Sequence, residues 1–177
     1  MLAFDTETTG LLKPELAELH LQPSITEIFI CKFNWDGEIT SIFQTLCQPP
    51  VPVSEKITEI TGITNKMLSS APKFIEIYDE LCEFILGETD IYAHNCSFDI
   101  DMLGVELKRL DLDYRFPWPM NQICTVEKSF PIENKRMPLW KLYKLATGKK
   151  IENAHRAAGD VSAMVECIVW MKKQGLL

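Results

Sequence analysis

No stretch of the chain approaches the roughly 18 apolar residues needed to span a bilayer, and no basic segment or long apolar run precedes Asp5. A membrane-embedded or exported protein is therefore not expected, and the cytoplasm is the default compartment. The six cysteines, Cys31, Cys47, Cys82, Cys96, Cys124 and Cys167, contain no CxxC pair. Most lie in apolar stretches, which predicts reduced core thiols rather than a zinc site. Internal repeats, low-complexity tracts and an obvious linker are also absent, and Gly175-Leu176-Leu177 is expected to leave no tail beyond the last helix. What remains is ordinary globular usage: 177 residues, 46% hydrophobic and 24% charged. That suits one domain over residues 1–177 with a properly buried core.

Positive charge is scarce overall but not evenly so. The net charge is −7, which argues at first sight against a nucleic-acid partner. Residues 128–156, however, hold Lys128, Lys135, Arg136, Lys141, Lys144, Lys149, Lys150 and Arg156 against only Glu133 and Glu152, a local balance of +6. The remainder carries −13. A basic segment on an acidic body can track a phosphate backbone, and bound divalent cations would add positive charge at the site itself. An exposed lysine-rich helix and loop is the competing reading.

The first half of the chain reads as strands. Residues 1–6 make one, and 26–34 carry apolar residues on both parities, as a strand buried on two faces does; 38–47 follow the turn-forming Asp36-Gly37. Three such neighbours suggest an antiparallel meander. After the Pro49-Pro50-Val51-Pro52 loop, Ser54 caps a short helix that stops before Gly62. Pro72 is expected in the first turn of a helix whose Phe74, Ile77, Tyr78, Leu81 and Ile85 follow the 3.6-residue period up to Gly87. A strand at 90–93, a helix over 97–110, a strand near 122–126, a helix over 139–147 and a last helix over 157–173 complete the order. Strands first, then helix and strand in alternation, indicate an α/β layered domain.

Acids fall at conspicuous places in this scheme. Asp5 and Glu7, two apart on a strand, project to one face while Phe4 points to the other. Two anions so placed repel, and a hard divalent cation that favours carboxylate oxygens removes the repulsion. Two solvated acids at a strand end are the plainer alternative. Asp99 lies in register with Leu103 and Leu110, and Asp160 with Met164, Cys167 and Met171, so each begins the core-facing stripe of its helix. An ionised carboxylate there costs several kcal/mol, roughly, unless it is paired or metal-bound. Helix-start acids also cap and benefit from the macrodipole. His155, five residues before Asp160, belongs to a loop leading into the last helix, where an imidazole can take a proton from water near neutral pH. His20 and His94 are assigned structural or peripheral roles.

Phe4-Asp5-Thr6-Glu7-Thr8-Thr9-Gly10-Leu11, Ile60-Thr61-Gly62-Ile63-Thr64-Asn65, Ala93-His94-Asn95-Cys96-Ser97-Phe98-Asp99 and His155-Arg156-Ala157-Ala158-Gly159-Asp160-Val161 resemble the ordered motifs of DEDDh 3′–5′ exonucleases. That family includes bacterial proofreading subunits, RNase T and the three-prime repair exonucleases. The resemblance covers about residues 1–170, and the His-x4-Asp spacing separates it from the branch that uses tyrosine. It implies an RNase H-like fold, a mixed five-stranded sheet flanked by helices. It also implies a metal set of Asp5, Glu7, Asp99 and Asp160, with Asp5 bridging two divalent cations, Mg²⁺ or Mn²⁺, and His155 as general base. The backbone around Thr8 and Thr9 would hold the terminal nucleotide, with Asn95 and Phe98 beside the substrate; Phe98 equally suits the core.

The activity so implied is release of nucleoside 5′-monophosphates from 3′ ends of single-stranded or frayed DNA. An RNA-directed enzyme of the oligoribonuclease or RNase T kind, and a polymerase-associated proofreading module acting in trans, are the alternatives; a polymerase partner is not indicated by the sequence itself. A plain acidic α/β binding domain is the reading without chemistry. The chain departs from the simplest family pattern between Leu11 and Thr26, where a helical turn or lid is expected, and near Phe116-Pro117-Trp118-Pro119. Both departures would shape substrate choice.

Overall fold

A computed structural model describes residues 1–13, 18–151 and 157–177. Five strands form one sheet: β1 (Leu2–Thr8), β2 (Ile25–Phe33), β3 (Ile39–Leu46), β4 (Asp90–Ala93) and β5 (Asn121–Cys124), in the order β3-β2-β1-β4-β5. β1 runs antiparallel to β2 and β2 to β3, whereas β4 is parallel to both β1 and β5. The mixed sheet is the one expected. Around it lie helices α1 (Glu55–Thr61), α2 (Asn65–Leu68), α3 (Phe74–Ile85), α4 (Cys96–Arg109), α5 (Thr125–Glu133), α6 (Leu139–Thr147) and α7 (Ala157–Lys173).

Strand alternation divides the core into two layers. Leu2 and Phe4 of β1, with Ile28 and Ile30 of β2, pack against Leu81 and Ile85 of α3 and Met102, Leu103 and Leu107 of α4. Ala3, with Phe29, Cys31 and Phe33, faces Val161, Met164, Val165 and Ile168 of α7. β2 is thus buried on both faces, which explains its continuous apolar run. All six cysteines are free thiols. Burial pushes Cys31 up to about 11 and Cys47, Cys96 and Cys167 up to about 12, so none is a ready thiolate.

Several boundaries differ from the sequence pattern for local reasons. α3 starts at Phe74, with Lys73 as its N-cap, because Glu76 reaches back to the Lys73 amide (2.6 Å) and so satisfies an end-of-helix donor. Pro72 therefore lies outside the first turn, where its carbonyl accepts from the Gln48 amide. The strand expected near 122–126 ends at Cys124, and Thr125 opens α5, a helix that Pro131 within it obscures in the sequence. The short α2, capped by Thr64 onto the Met67 amide, was likewise outside the expected scheme. Ser54 caps α1 as expected, and Gly62 closes it at φ +72°.

The connection between β1 and β2 is tied down rather than draped. The Gln22 side chain accepts from the Lys13 amide and donates to the Lys13 carbonyl. Arg109, near the end of α4, donates to the carbonyls of Leu19, Gln22 and Pro23, to the Ser24 hydroxyl and to Glu106. Glu106 in turn accepts from the Ile25 amide. Residues 19–21 form a single 3-10 turn, while the helical turn or lid expected over residues 13–19 falls largely on 14–17, which lie outside the described residues. At the second departure Phe116 is buried and stacks edge-on with Trp118 at 4.7 Å, so that segment packs on the α3/α4 core.

His94 follows β4 and bonds to the Thr125 hydroxyl at 2.8 Å. Burial, opposed by a hydrogen bond to the Met137 backbone and helped by the Arg136 charge, lowers its pKa to about 4. The imidazole is neutral in the folded chain and protonates in the unfolded one below its ordinary 6.5, so its contribution to stability is complete above that value and falls as pH drops from 6.5 towards 4. Denaturant unfolding of the native chain and His94→Gln at pH 7 and pH 4 should therefore show the difference between them shrinking by about 2–3 kcal/mol at the lower pH. A pH-independent difference would refute a neutral buried imidazole.

Candidate active site

β1 outruns β4. The parallel pairing covers only Leu2 with Ile91 and Ala3 with Tyr92, so beyond Ala3 the β4 side of β1 has no strand opposite it. This opening lies at the C-terminal ends of two parallel strands, where α/β sheets place their ligands. Asp5 and Glu7 share the parity of Ala3 and thus face α7. Asp160, in the first turn of α7, meets them there. Carboxylate oxygens of Asp5, Glu7 and Asp160, all three residues half-buried, lie within 4.8 Å of one another.

Thr6 has the opposite parity and faces α4. Asp99, 2% exposed in the first turn of α4, accepts from both the Thr6 amide (3.0 Å) and the Thr6 hydroxyl (2.8 Å) on the same Oδ1 atom. A single strand thereby hands two acids to one helix and grips the acid of another. Burial raises the Asp99 carboxyl to about 7, against the two Thr6 bonds that pull it down. Asp5 is raised well above its ordinary range, first by burial and then by the charges of Asp99, Glu7, Asp160 and Glu27. Anionic repulsion of this kind is relieved by a cation, and an all-oxygen donor set suits a hard divalent ion such as Mg²⁺ or Mn²⁺.

The remaining expected residues surround this cluster unevenly. Thr8 donates to the Gly10 carbonyl (2.7 Å), and a register shift separates it from Glu7. The Thr9 amide donates to the Ser24 carbonyl and its hydroxyl accepts from the Ser24 amide, so both are used within the loop. Asn95 stands at the N-cap of α4 with φ +73°, a left-handed conformation asparagine tolerates, and its Oδ1 accepts from Arg136. Phe98 is partly buried against the α3/α4 core layer. His155 lies outside the described residues.

Two residues of the site escaped the sequence reading as site residues. Thr6 sat between the acids as a strand residue, and only the two-fold alternation together with the facing Asp99 gives it a role. Glu27, 1% exposed, sits opposite Glu7 in the β1–β2 register and accepts from Gln44 (3.0 Å). Its signal was a charged residue within a strand otherwise buried on both faces.

The mixed sheet, with its acids at the open end of β1, has the architecture of RNase H-like nucleases. The sequence pattern of the RNase T exonuclease family matches residues 2–168, and the chain belongs to that exonuclease family. It is 31% identical over 172 residues to DNA polymerase III subunit epsilon of Treponema pallidum, covering 96% of this chain and 74% of that protein. It is 30% identical over 173 residues to the PolC-type DNA polymerase III of Clostridium perfringens, covering 98% of this chain but spanning only 11% of that polymerase. Among solved structures, the nuclease domain of 3′hExo, a DEDDh family member bound to rAMP, superposes with a TM-score of 0.76 at 17% identity, covering 98% of this chain and 92% of that one. Exonuclease X in complex with 5′ overhanging duplex DNA gives 0.64 at 22% identity, with the same coverages. These two likenesses describe the fold. Among the described residues no helix is long and apolar enough to cross a membrane.

Because Asp5 stands among like charges, neutralising it should relieve strain in the metal-free chain. Asp5→Asn is expected to raise the melting temperature in EDTA by about 2–4 °C, the shift that roughly 1 kcal/mol produces at this size. It should also remove most of the stabilisation that Mn²⁺ gives the native chain. A lower melting temperature in EDTA would contradict the repulsion.

Proposed function

We propose that the chain hydrolyses phosphodiester bonds one nucleotide at a time from the 3′ end of single-stranded or frayed DNA, releasing nucleoside 5′-monophosphates. The observation that carries this reading is the convergence of Asp5, Glu7 and Asp160 within 4.8 Å at the open end of β1. Asp5, Glu7 and Asp160 would hold divalent cations, with Asp99 supporting the same site from α4. When bound, such cations acidify water and stabilise the negative charge that builds on the departing 3′ oxygen. Asp5, Glu7, Asp160 and Asp99 would together offer enough carboxylate oxygens for two such ions.

The chain's own residues do the positioning. Thr6 fixes Asp99 through two bonds to one oxygen, which leaves the orientation of the carboxyl set by β1 itself. The carboxylates orient the scissile phosphate indirectly, by fixing where positive charge resides. His155, by the resemblance of its motif, would take the proton of the attacking water. DNA is preferred as substrate because the epsilon and PolC relatives are named as parts of a DNA polymerase III. The same relatives support a second reading, in which the domain removes errors left by a polymerase and acts in trans.

Purified chain with Mg²⁺ or Mn²⁺ should shorten a 3′-overhang duplex progressively from its 3′ end. Asp5→Ala should lower the rate by more than about a hundredfold, beyond what outer partners of metal ligands usually contribute. Internal cleavage, or full activity in that variant, would overturn the mechanism. His155→Ala is expected to reduce kcat by about 10²–10⁴, the span of general acid–base contributions, with much less effect on substrate binding. Equal losses in the two would remove His155 from the role of base.

A further inference from the structure

α5 and the corner that follows it border a cavity of about 420 Å³, lined by Val126, Glu127, Phe130 and Arg136. Phe130 is 46% exposed, although Val126, one turn earlier on α5, is buried. Arg136 is exposed too, yet its side chain is held, donating to the side-chain Oδ1 of Asn95. Two neighbouring cations, Lys135 and Lys141, share the single carboxylate of Glu133, at 3.2 and 2.6 Å, so the trio keeps a net positive charge beside Arg136. Among the described residues no carboxylate forms an ion pair with Arg136.

The corner is joined to the acids. Asn95 caps α4 four residues, about one turn, before Asp99. His94 beside it bonds to Thr125 at the start of α5. A planar guanidinium held in place, next to a half-exposed aromatic ring, offers a phosphate a cationic contact and a base a π-face.

We infer that this corner is the subsite for the nucleotide on the 5′ side of the terminal one, its base stacked on Phe130 and its phosphate on Arg136. The inference rests on the exonuclease reading and adds to it a strand path across α5 towards Asp99. Such a subsite makes short single strands better substrates than single-nucleotide esters, with little preference among bases.

Fluorescence anisotropy with a 3′-phosphorothioate pentanucleotide, in DNA and RNA versions and with Ca²⁺ as the cation, tests it directly. Phe130→Ala and Arg136→Gln should each weaken binding about tenfold, as loss of one stacked base does. Phe130→Trp should restore it, and melting temperatures should stay with the native chain. The ratio of kcat/KM on the pentanucleotide to that on a nucleoside 5′-(p-nitrophenyl phosphate), which ends at the scissile phosphate, should fall by the same factor. Losses on both strand types, or on one alone, support the subsite. Unchanged anisotropy, or equal losses on the ester, overturn it. Turnover by the native chain reads the exonuclease site separately: an ester and a 3′-overhang both left intact would sink the exonuclease reading and the subsite with it, whereas normal turnover with unchanged anisotropy in the variants would sink the subsite alone.

Discussion

Alternation along seven residues of β1 organises this molecule. Leu2 and Phe4 go to the α3/α4 side and Ala3 to the α7 side, and the same two-residue period carries Asp5 and Glu7 towards α7 and Thr6 towards α4. The strand therefore builds the core with its first half and the site with its second. Slipping the register by one residue would bury both carboxylates among Leu103 and Met102 and turn Phe4 towards α7. The antiparallel pairing with β2, which runs the length of β1, holds that register.

Electrostatics then sets what this geometry can tolerate. Several acids converge where desolvation already disfavours charge, and each raises the proton affinity of Asp5. Within the chain, Thr6 serves Asp99 and Gln44 serves Glu27. The fold sustains the conflict because the layers on either side of the sheet are continuous and fully buried. It is the familiar exchange of stability for activity, localised here to the open end of one strand.

Much of this was legible in the residues because periodicity reports faces. The strand period exposed Asp5 and Glu7 as a pair, and the helical period placed Asp99 and Asp160 on core-facing stripes; the structure brings Asp5, Glu7 and Asp160 to one point. The role of Thr6 was hidden, because it depends on which strand ends first and which helix then faces the gap. Arg109 was hidden for a similar reason, as most of its acceptors are backbone carbonyls some 86 to 90 residues away that carry no side-chain signature. α5 was missed because Pro131 breaks its pattern, and α2 because four residues cannot show a period. Three antiparallel strands followed by parallel ones were expected from strand spacing and from the resemblance taken together, whereas the order β3-β2-β1-β4-β5 is a finding of the structure.

The clasp between Lys13 and Gln22 is backed by the Arg109 grip on residues 19–24. It closes the connection at its base, so the position of β2 relative to β1 does not depend on how many residues lie beyond the clasp. Loop-closure entropy grows only slowly with length, each doubling costing about 0.6 kcal/mol. Insertions or deletions between Lys13 and Gln22 would therefore leave the carboxylates in place.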